Sequence, residues 1–236
     1  MVKVYKATDV GLVRETNEDS FIEILPNTYI VADGMGGHAA GEVASRLLIQ
    51  TMKDGLQQNT LEYSEDLLKN MVSKANAVIW QQAAAHPEYA GMGTTATVFH
   101  REENCGIWAH VGDSRLYLLR QGSLQQVTQD HSLVEDLVRN GSITEEQARI
   151  HPRKNVLTRA VGVDSTVNID TGTFPVEARD TVLLCTDGLT NMMSDAEIQE
   201  ILAGDTEDPA ACLVKKALDA GGSDNITAIV VKYDEE

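Results

Sequence analysis

Between residues 42 and 128 the spacing of apolar side chains changes once, and that change limits the fold more than any other feature of the chain. Val43, Leu47, Leu48, Met52 and Leu56 recur at helical intervals, as do Leu67, Leu68, Met71, Val72, Ala75, Val78 and Ile79. Two amphipathic helices are therefore expected, over residues 42–56 and 64–85, with the methionines in the core. From residue 93 the pattern shortens. GTTATVFH (93–100), CGIWAHV (105–111), RLYLLR (115–120) and LQQVT (124–128) are strand-like runs divided by turn residues, read here as an antiparallel meander. Helices followed by a run of strands predict an α+β layered fold, because a doubly wound sheet would alternate the two.

Around this frame, acidic residues stand at the ends of apolar strands. Tyr29 to Gly41 reads YIVADGMGGHAAG: a short buried strand stops at Asp33-Gly34, and glycines lead into the first helix. The glycines let the backbone turn sharply, so the Gly34 carbonyl and the Asp33 carboxylate can point the same way. The corner reads as a metal ligand or as a helix cap. TVLLCTDG (181–188) repeats the pattern at Asp187, and Asp224 follows Gly221-Gly222 just before the apolar run ITAIVV. Asp113, between two strand-like runs, reads as a hairpin-turn residue or as a ligand. Arg14 precedes Glu18 and Asp19 by four and five positions, a spacing that also suits a surface ion pair. Ser132 with Glu135, Thr144 with Gln147 and Ser194 with Glu197 mark helix starts, as does Pro209.

Asp33, Asp187 and Asp224, backed by Glu18, Asp19 and Asp113, form an oxygen-only donor set that suits Mg²⁺ or Mn²⁺ and disfavours zinc. Such a set can hold two ions, activate a water and offset phosphoryl charge. The covalent alternatives are missing. No cysteine has Arg six positions on, neither Asp33 nor Asp187 has a second Asp two positions on, and no Gly-x-x-x-x-Gly-Lys-Ser/Thr loop occurs.

Composition narrows the class further. At 236 residues and 42% hydrophobic content, with no linker or repeat, a single domain over 1–236 is expected. A net charge of -17 argues against a nucleic-acid surface. No apolar run is long enough to span a membrane, and Met1-Val2-Lys3-Val4 begins no signal peptide, so a cytoplasmic monomer is expected. Cys105, Cys185 and Cys212 are widely spaced and odd in number, as reduced thiols would be.

The ordered set RETNED (14–19), VADGMGGH (31–38), GTTAT (93–97), HVGDSRLY (110–117), DHS (130–132), LTRAVG (157–162), LLCTDGL (183–189) and GGSDNITAIV (221–230) resembles the metal-dependent serine/threonine protein phosphatases of the type 2C (PPM) family, in their bacterial form. The resemblance spans nearly the whole chain. It implies a four-layer α-β-β-α sandwich of two antiparallel sheets, with a flap at about 140–163. It implies a centre of two Mn²⁺ or Mg²⁺ ions, with Asp33 bridging, Asp187 and Asp224 on the first ion, and the Gly34 carbonyl, Glu18 and Asp19 on the second. A third, weaker ion falls to Asp113 and Asp187. Arg14 matches the phosphate-binding arginine. Met35 stands where animal members carry the histidine thought to protonate the leaving alcohol, and the resemblance leaves nearby His38 or a metal-bound water as the candidates for that role.

The activity so implied is hydrolysis of phosphoserine and phosphothreonine in proteins by a metal-activated water, opposing a serine/threonine kinase. A catalytically silent phosphoprotein-binding regulator and a hydrolase of small phosphorylated metabolites are the alternatives. The acidic balance predicts that phosphopeptides with basic residues near the phosphosite are cleaved faster, and that rising salt erodes the advantage. Equal, salt-independent rates on acidic and basic phosphopeptides would contradict this.

Overall fold

A computed structural model describes residues 1–36, 40–59 and 61–234. In the first antiparallel sheet the spatial order is β1 (Val2–Asp9), β11 (Ile226–Tyr233), β10 (Thr181–Cys185), β7 (Arg115–Arg120) and β8 (Ser123–Gln126). The second runs β2 (Asp19–Ile24), β3 (Thr28–Met35), β5 (Ala96–Glu102), β6 (Cys105–Val111) and β9 (Asp170–Pro175), with the short β4 (Gly93–Thr94) against the end of β3. Helices α1 (Ala40–Gln57) and α2 (Glu65–Ala85) cover the second sheet, while α6 (Asp195–Ala203) and α7 (Pro209–Asp219) cover the first. Two short helices, α3 (Leu133–Arg139) and α4 (Glu145–Arg149), follow β8, and α5 (Asp187–Thr190) follows β10.

Successive side chains of a strand point to opposite faces, which explains why the central strands read as unbroken apolar runs. On β3, Ile30 and Ala32 pack towards the helices with Leu48, Met52, Leu68 and Ile79. Tyr29 and Val31 face the other way, joining Phe99, Leu116, Leu184, Ile229 and Val231 between the sheets. On β11, Ile226, Ala228 and Val230 lie under α6 and α7 with Leu213 and Ile198. Both faces of each sheet are thus covered, giving the α-β-β-α order. Each fully buried Leu, Ile or Val side chain contributes about 1.5–3 kcal/mol of transfer free energy.

The two long helices, the capping boxes at Thr144 and Ser194 and the first-turn Pro209 fall where the sequence placed them. At Ser132 only half of the capping box forms. Its hydroxyl accepts from the Glu135 amide, and Glu135 Oε1 accepts instead from Gln129 Nε2. Cys105, Cys185 and Cys212 are free thiols.

Three expectations are corrected. The meander is not one sheet: β5 and β6 pair in the second sheet, β7 and β8 in the first. The Gly112-Asp113-Ser114 connector is therefore a crossing between sheets and not a hairpin turn. Strand β3 does not stop at Asp33, because Gly34 and Met35 still pair with Thr94 and Gly93 of β4. Strand β9 gave no recognisable signal: Asp170–Pro175 is half-exposed, at the edge of its sheet, and contains Gly172 and a terminal Pro175.

Ile229 is fully buried between the sheets, away from the acidic end. Ile229→Ala is expected to destabilise the protein by about 2–5 kcal/mol, and Ile229→Val by about 1 kcal/mol. Denaturant unfolding monitored by far-UV circular dichroism measures both.

Candidate metal centre and active site

The acidic residues that lie far apart in the chain meet at one end of the sandwich. Asp19, first residue of β2, stands directly opposite Asp33 on β3. Two residues beyond the end of β10, Asp187 opens α5, and Asp224 lies two residues ahead of β11. The crossing connector adds Asp113. A cavity of about 190 Å³ is lined by Glu18, Asp33, Asp113, Asp187 and Asp224, together with Arg14 and the Gly34 and Met35 backbone corner. Asn155 and Leu157, from the segment after α4, close it on another side. A larger groove of about 320 Å³ shares Asp113 and Asp187 with this cavity and extends beneath α3 and α4.

Neighbouring side chains and amides hold each carboxylate or its backbone. Asn191 Nδ2 donates to Asp187 Oδ2 (2.9 Å). Thr186 and Thr227 hydroxyls donate to Asp19 Oδ2 (2.8 and 2.6 Å), which seats Asp19 between the two sheets, behind the cavity wall. The Asp33 amide donates to Thr95 Oγ1 (2.9 Å), and Thr95 Oγ1 shares a hydrogen bond with Ser114 Oγ (2.7 Å), joining β3 to the connector. Asn225 Oδ1 accepts from the Glu18 amide (2.8 Å), while its Nδ2 donates to the carbonyls of Val10 and Thr16 (both 2.9 Å). That one side chain fixes the loop carrying Arg14 and Glu18. Arg14 pairs neither with Glu18 nor with Asp19: its fork straddles Asp224, Nε to Oδ1 and Nη2 to Oδ2, each 3.0 Å.

The corner tolerates no extra atoms. A Cβ on Gly34 would overlap the Gly41 carbonyl at the start of α1, and one on Gly188 would overlap the Asn225 carbonyl. His38 lies outside the described residues, and Met35 occupies the last position of β3 at the cavity wall.

Residues 14–218 match the family model described as protein phosphatase 2C. The chain belongs to the protein phosphatase 2C family. It is 42% identical over 237 residues to the serine/threonine phosphatase stp of Listeria monocytogenes, covering 96% of this chain and 94% of that one. Its fold superimposes on the serine/threonine phosphatase PstP/Ppp of Mycobacterium tuberculosis with a TM-score of 0.92, at 37% identity and 99% coverage of both chains. The PstP catalytic domain in complex with two manganese ions matches with a TM-score of 0.89, at 36% identity and again 99% of both chains.

The electrostatics of this phosphatase 2C chain fit divalent cations. Burial, reinforced by Asp19, Asp187, Asp113 and Asp224, holds Asp33 well above the ordinary carboxylate range. Burial pushes Asp19 up to about 7 against the two threonine hydroxyls, and pushes Asp187 up to about 6 with Asp224 adding to it. Asp113 is raised too, by burial and then by Asp187. Glu18 Oε1, Asp19 Oδ1 and Asp187 Oδ1 are buried without a hydrogen-bond partner, and among the described residues the only other such atom noted is the Tyr233 hydroxyl. Orphaned carboxylate oxygens at one cavity, from Glu18 and Asp187, with that of Asp19 behind its wall and no histidine or cysteine in its lining, suit a hard cation. Among the described residues no three Asp, Glu, His or Cys side chains are drawn into a closed cage. Like charges hold apart until a cation lies between them.

The sequence had offered Asn191, Thr95, Thr186, Thr227 and Asn225 no role. Asn191 carried the one readable signal, four residues after Asp187 and so on the same face of a helical turn.

A carboxyl whose folded-state value is raised binds its proton more tightly when folded. Its contribution to stability is present below about pH 4 and is lost as pH rises through the folded values near 6 and 7. Metal-free protein is therefore expected to melt higher at pH 5.5 than at pH 8, and added Mn²⁺ to raise the melting temperature most at pH 8. Asp33→Asn should raise the melting temperature of metal-free protein at pH 8 by roughly 2–4 °C per kcal/mol of repulsion relieved, and blunt the response to Mn²⁺. Calorimetry after chelation reads all three.

Proposed function

We propose that this chain hydrolyses phosphoserine and phosphothreonine in proteins at a centre of two divalent ions, and so opposes a protein serine/threonine kinase. The enzyme class is that of its family, a protein serine/threonine phosphatase. The observation that carries the reading is the group of buried carboxylate oxygens without partners at and behind the wall of a single cavity, in a chain whose relative PstP holds two manganese ions. Opposition to a kinase follows from the substrate, since phosphoserine and phosphothreonine in proteins are kinase products.

Asp33, beside Asp19, Asp187, Asp113 and Asp224, would serve both ions. Asp187 and Asp224 would hold one, and Glu18, the Gly34 carbonyl and Asp19 from behind the other. Asp113 with Asp187 would hold a third, weaker ion. Oxygen donors of this kind accept Mn²⁺ or Mg²⁺. When bound, the ions supply a water acidic enough to attack phosphorus at neutral pH and offset the charge of the phosphoryl oxygens.

The protein's own part is orientation. Arg14 presents a planar fork to two oxygens, as its grip on Asp224 demonstrates, and a phosphoryl group offers the same geometry. Its side chain is 47% exposed, which leaves it room to leave Asp224 for substrate. The Gly34 and Gly188 contacts fix the strand ends, so the carboxylates are held before substrate arrives. The leaving alkoxide needs a proton, for which His38 is the candidate side chain of this chain.

Phosphate release from a phosphothreonine peptide, with Mn²⁺, with Mg²⁺ and with chelator, tests the reading. Activity should require added ion and fall about 100-fold or more in Asp33→Asn and Asp187→Asn. Arg14→Ala should lower kcat/KM by about 10²–10³, with little recovery in Arg14→Lys because an ammonium cannot reproduce the fork. Activity indifferent to chelator would reject the metal centre. Faster turnover of a nucleotide than of the peptide would reject the protein substrate, and bound ion without turnover would favour the binding-only regulator.

A further inference from the structure

A second polar cluster lies behind the connector that carries Asp113. The ring of His131, 5% exposed, accepts at Nδ1 from the Gly112 amide (3.1 Å), and the His131 amide donates to the Gly112 carbonyl (2.7 Å). Gly112 is thus gripped at both its backbone groups by one residue. Its φ of +111° requires glycine, and a Cβ there would overlap the Thr95 side chain, so the connector has no slack on the opposite side. Beyond Asp113, Ser114 is tied to Thr95 and, through its carbonyl, to Thr97 Oγ1 (3.2 Å).

The tautomer follows from these contacts. Because Nδ1 accepts an amide proton, a neutral ring carries its hydrogen on Nε2, which donates to Asp170 Oδ2 (3.0 Å). Arg159 Nη1 donates to the other oxygen of Asp170 (2.7 Å) and also lies 3.2 Å from His131 Nε2, a meeting of two donors that the Asp170 carboxylate bonded to both holds together; the His131 carbonyl accepts from the Thr158 amide (2.8 Å). Burial lowers the His131 pKa, favouring the neutral ring that this arrangement needs.

We propose that His131 is a positioning residue for Asp113: it sets the aim of that carboxylate through Gly112, and is itself oriented by Asp170 and by Arg159 from the root of the flap. The inference rests on the reading of Asp113 as an ion ligand.

Equilibrium Mn²⁺ binding to the full chain, with the ions counted, tests it in wild type, Asp113→Ala, His131→Phe and His131→Asn. Alongside, the exchange rate of the Gly112 amide is read by NMR with Mg²⁺. His131→Phe should weaken the Asp113-dependent ion about tenfold or more, leave the two tighter ions unchanged and speed Gly112 exchange. His131→Asn should restore both, since its Oδ1 can accept where Nδ1 does. A folded Phe variant that keeps that ion and Gly112 protection would overturn the proposal, as would an equal weakening of all ions. If Asp113→Ala itself loses no ion, the assignment of Asp113 fails and takes this inference with it. Should the Phe variant not fold, the ring nitrogens of the wild-type protein decide: an unprotonated Nδ1 with a protonated Nε2 supports the proposal, and the other tautomer overturns it.

Discussion

Two aspartates facing one another across a pair of strands are the constraint on which this end of the molecule depends. Asp19 and Asp33 are register partners on β2 and β3, a placement that disfavours folding when both are charged. Asp187 and Asp224 arrive from the other sheet and add to the repulsion. Folding brings these groups together because the rest of the sandwich leaves no alternative. Shifting β2 by one residue would turn Phe21 away from the core between the sheets. The apolar interior therefore sets the register, and the register places the charges. A cation between them converts that strain into affinity.

The scaffold holds the charges by close backbone approach and by small polar side chains. Gly188 lies against the Asn225 carbonyl beside β11, and Gly34 against the Gly41 carbonyl of α1, so within each half of the sandwich neighbouring segments come nearer than any side chain would permit. Thr95 reaches the Asp33 amide and Ser114, and Asn225 reaches three backbone groups of the loop before β2. Threonine and asparagine suit this task because they donate and accept within a short reach and add no charge to a region already crowded with it.

Much of the fold was legible because its signals are local. Helices α1 and α2 announce themselves through a period of 3.6, and β11 through an apolar run that only a strand covered on both faces would carry. The partition of the strands between sheets was not legible, because β6 and β7 differ in partner and not in composition. Their three-residue connector has the chemistry of a hairpin turn, and only the tertiary pairing shows that it crosses. Three of the cavity-lining carboxylates, Asp33, Asp187 and Asp224, could be found from their Asp-Gly and Gly-Gly settings. Their supports could not, since an isolated Thr95 or Asn225 carries no pattern until the sheets bring it to its partner.

The cavity also limits what it can recognise by itself. Its lining of carboxylates, one arginine fork and glycine backbone can address a phosphoryl group and the ions beside it, and little in it could distinguish one phosphomonoester from another. Discrimination must then come from surfaces that continue out of the cavity. The groove beneath α3 and α4 does so directly, because Asp113 and Asp187 belong to both spaces. Glu135, Glu145 and Asp195 line it together with Arg115, Arg149 and Lys154, so a chain emerging from the cavity meets charges of both signs. Net acidity would favour encounter with basic substrates from a distance, and charges of both signs beside the cavity would discriminate on contact.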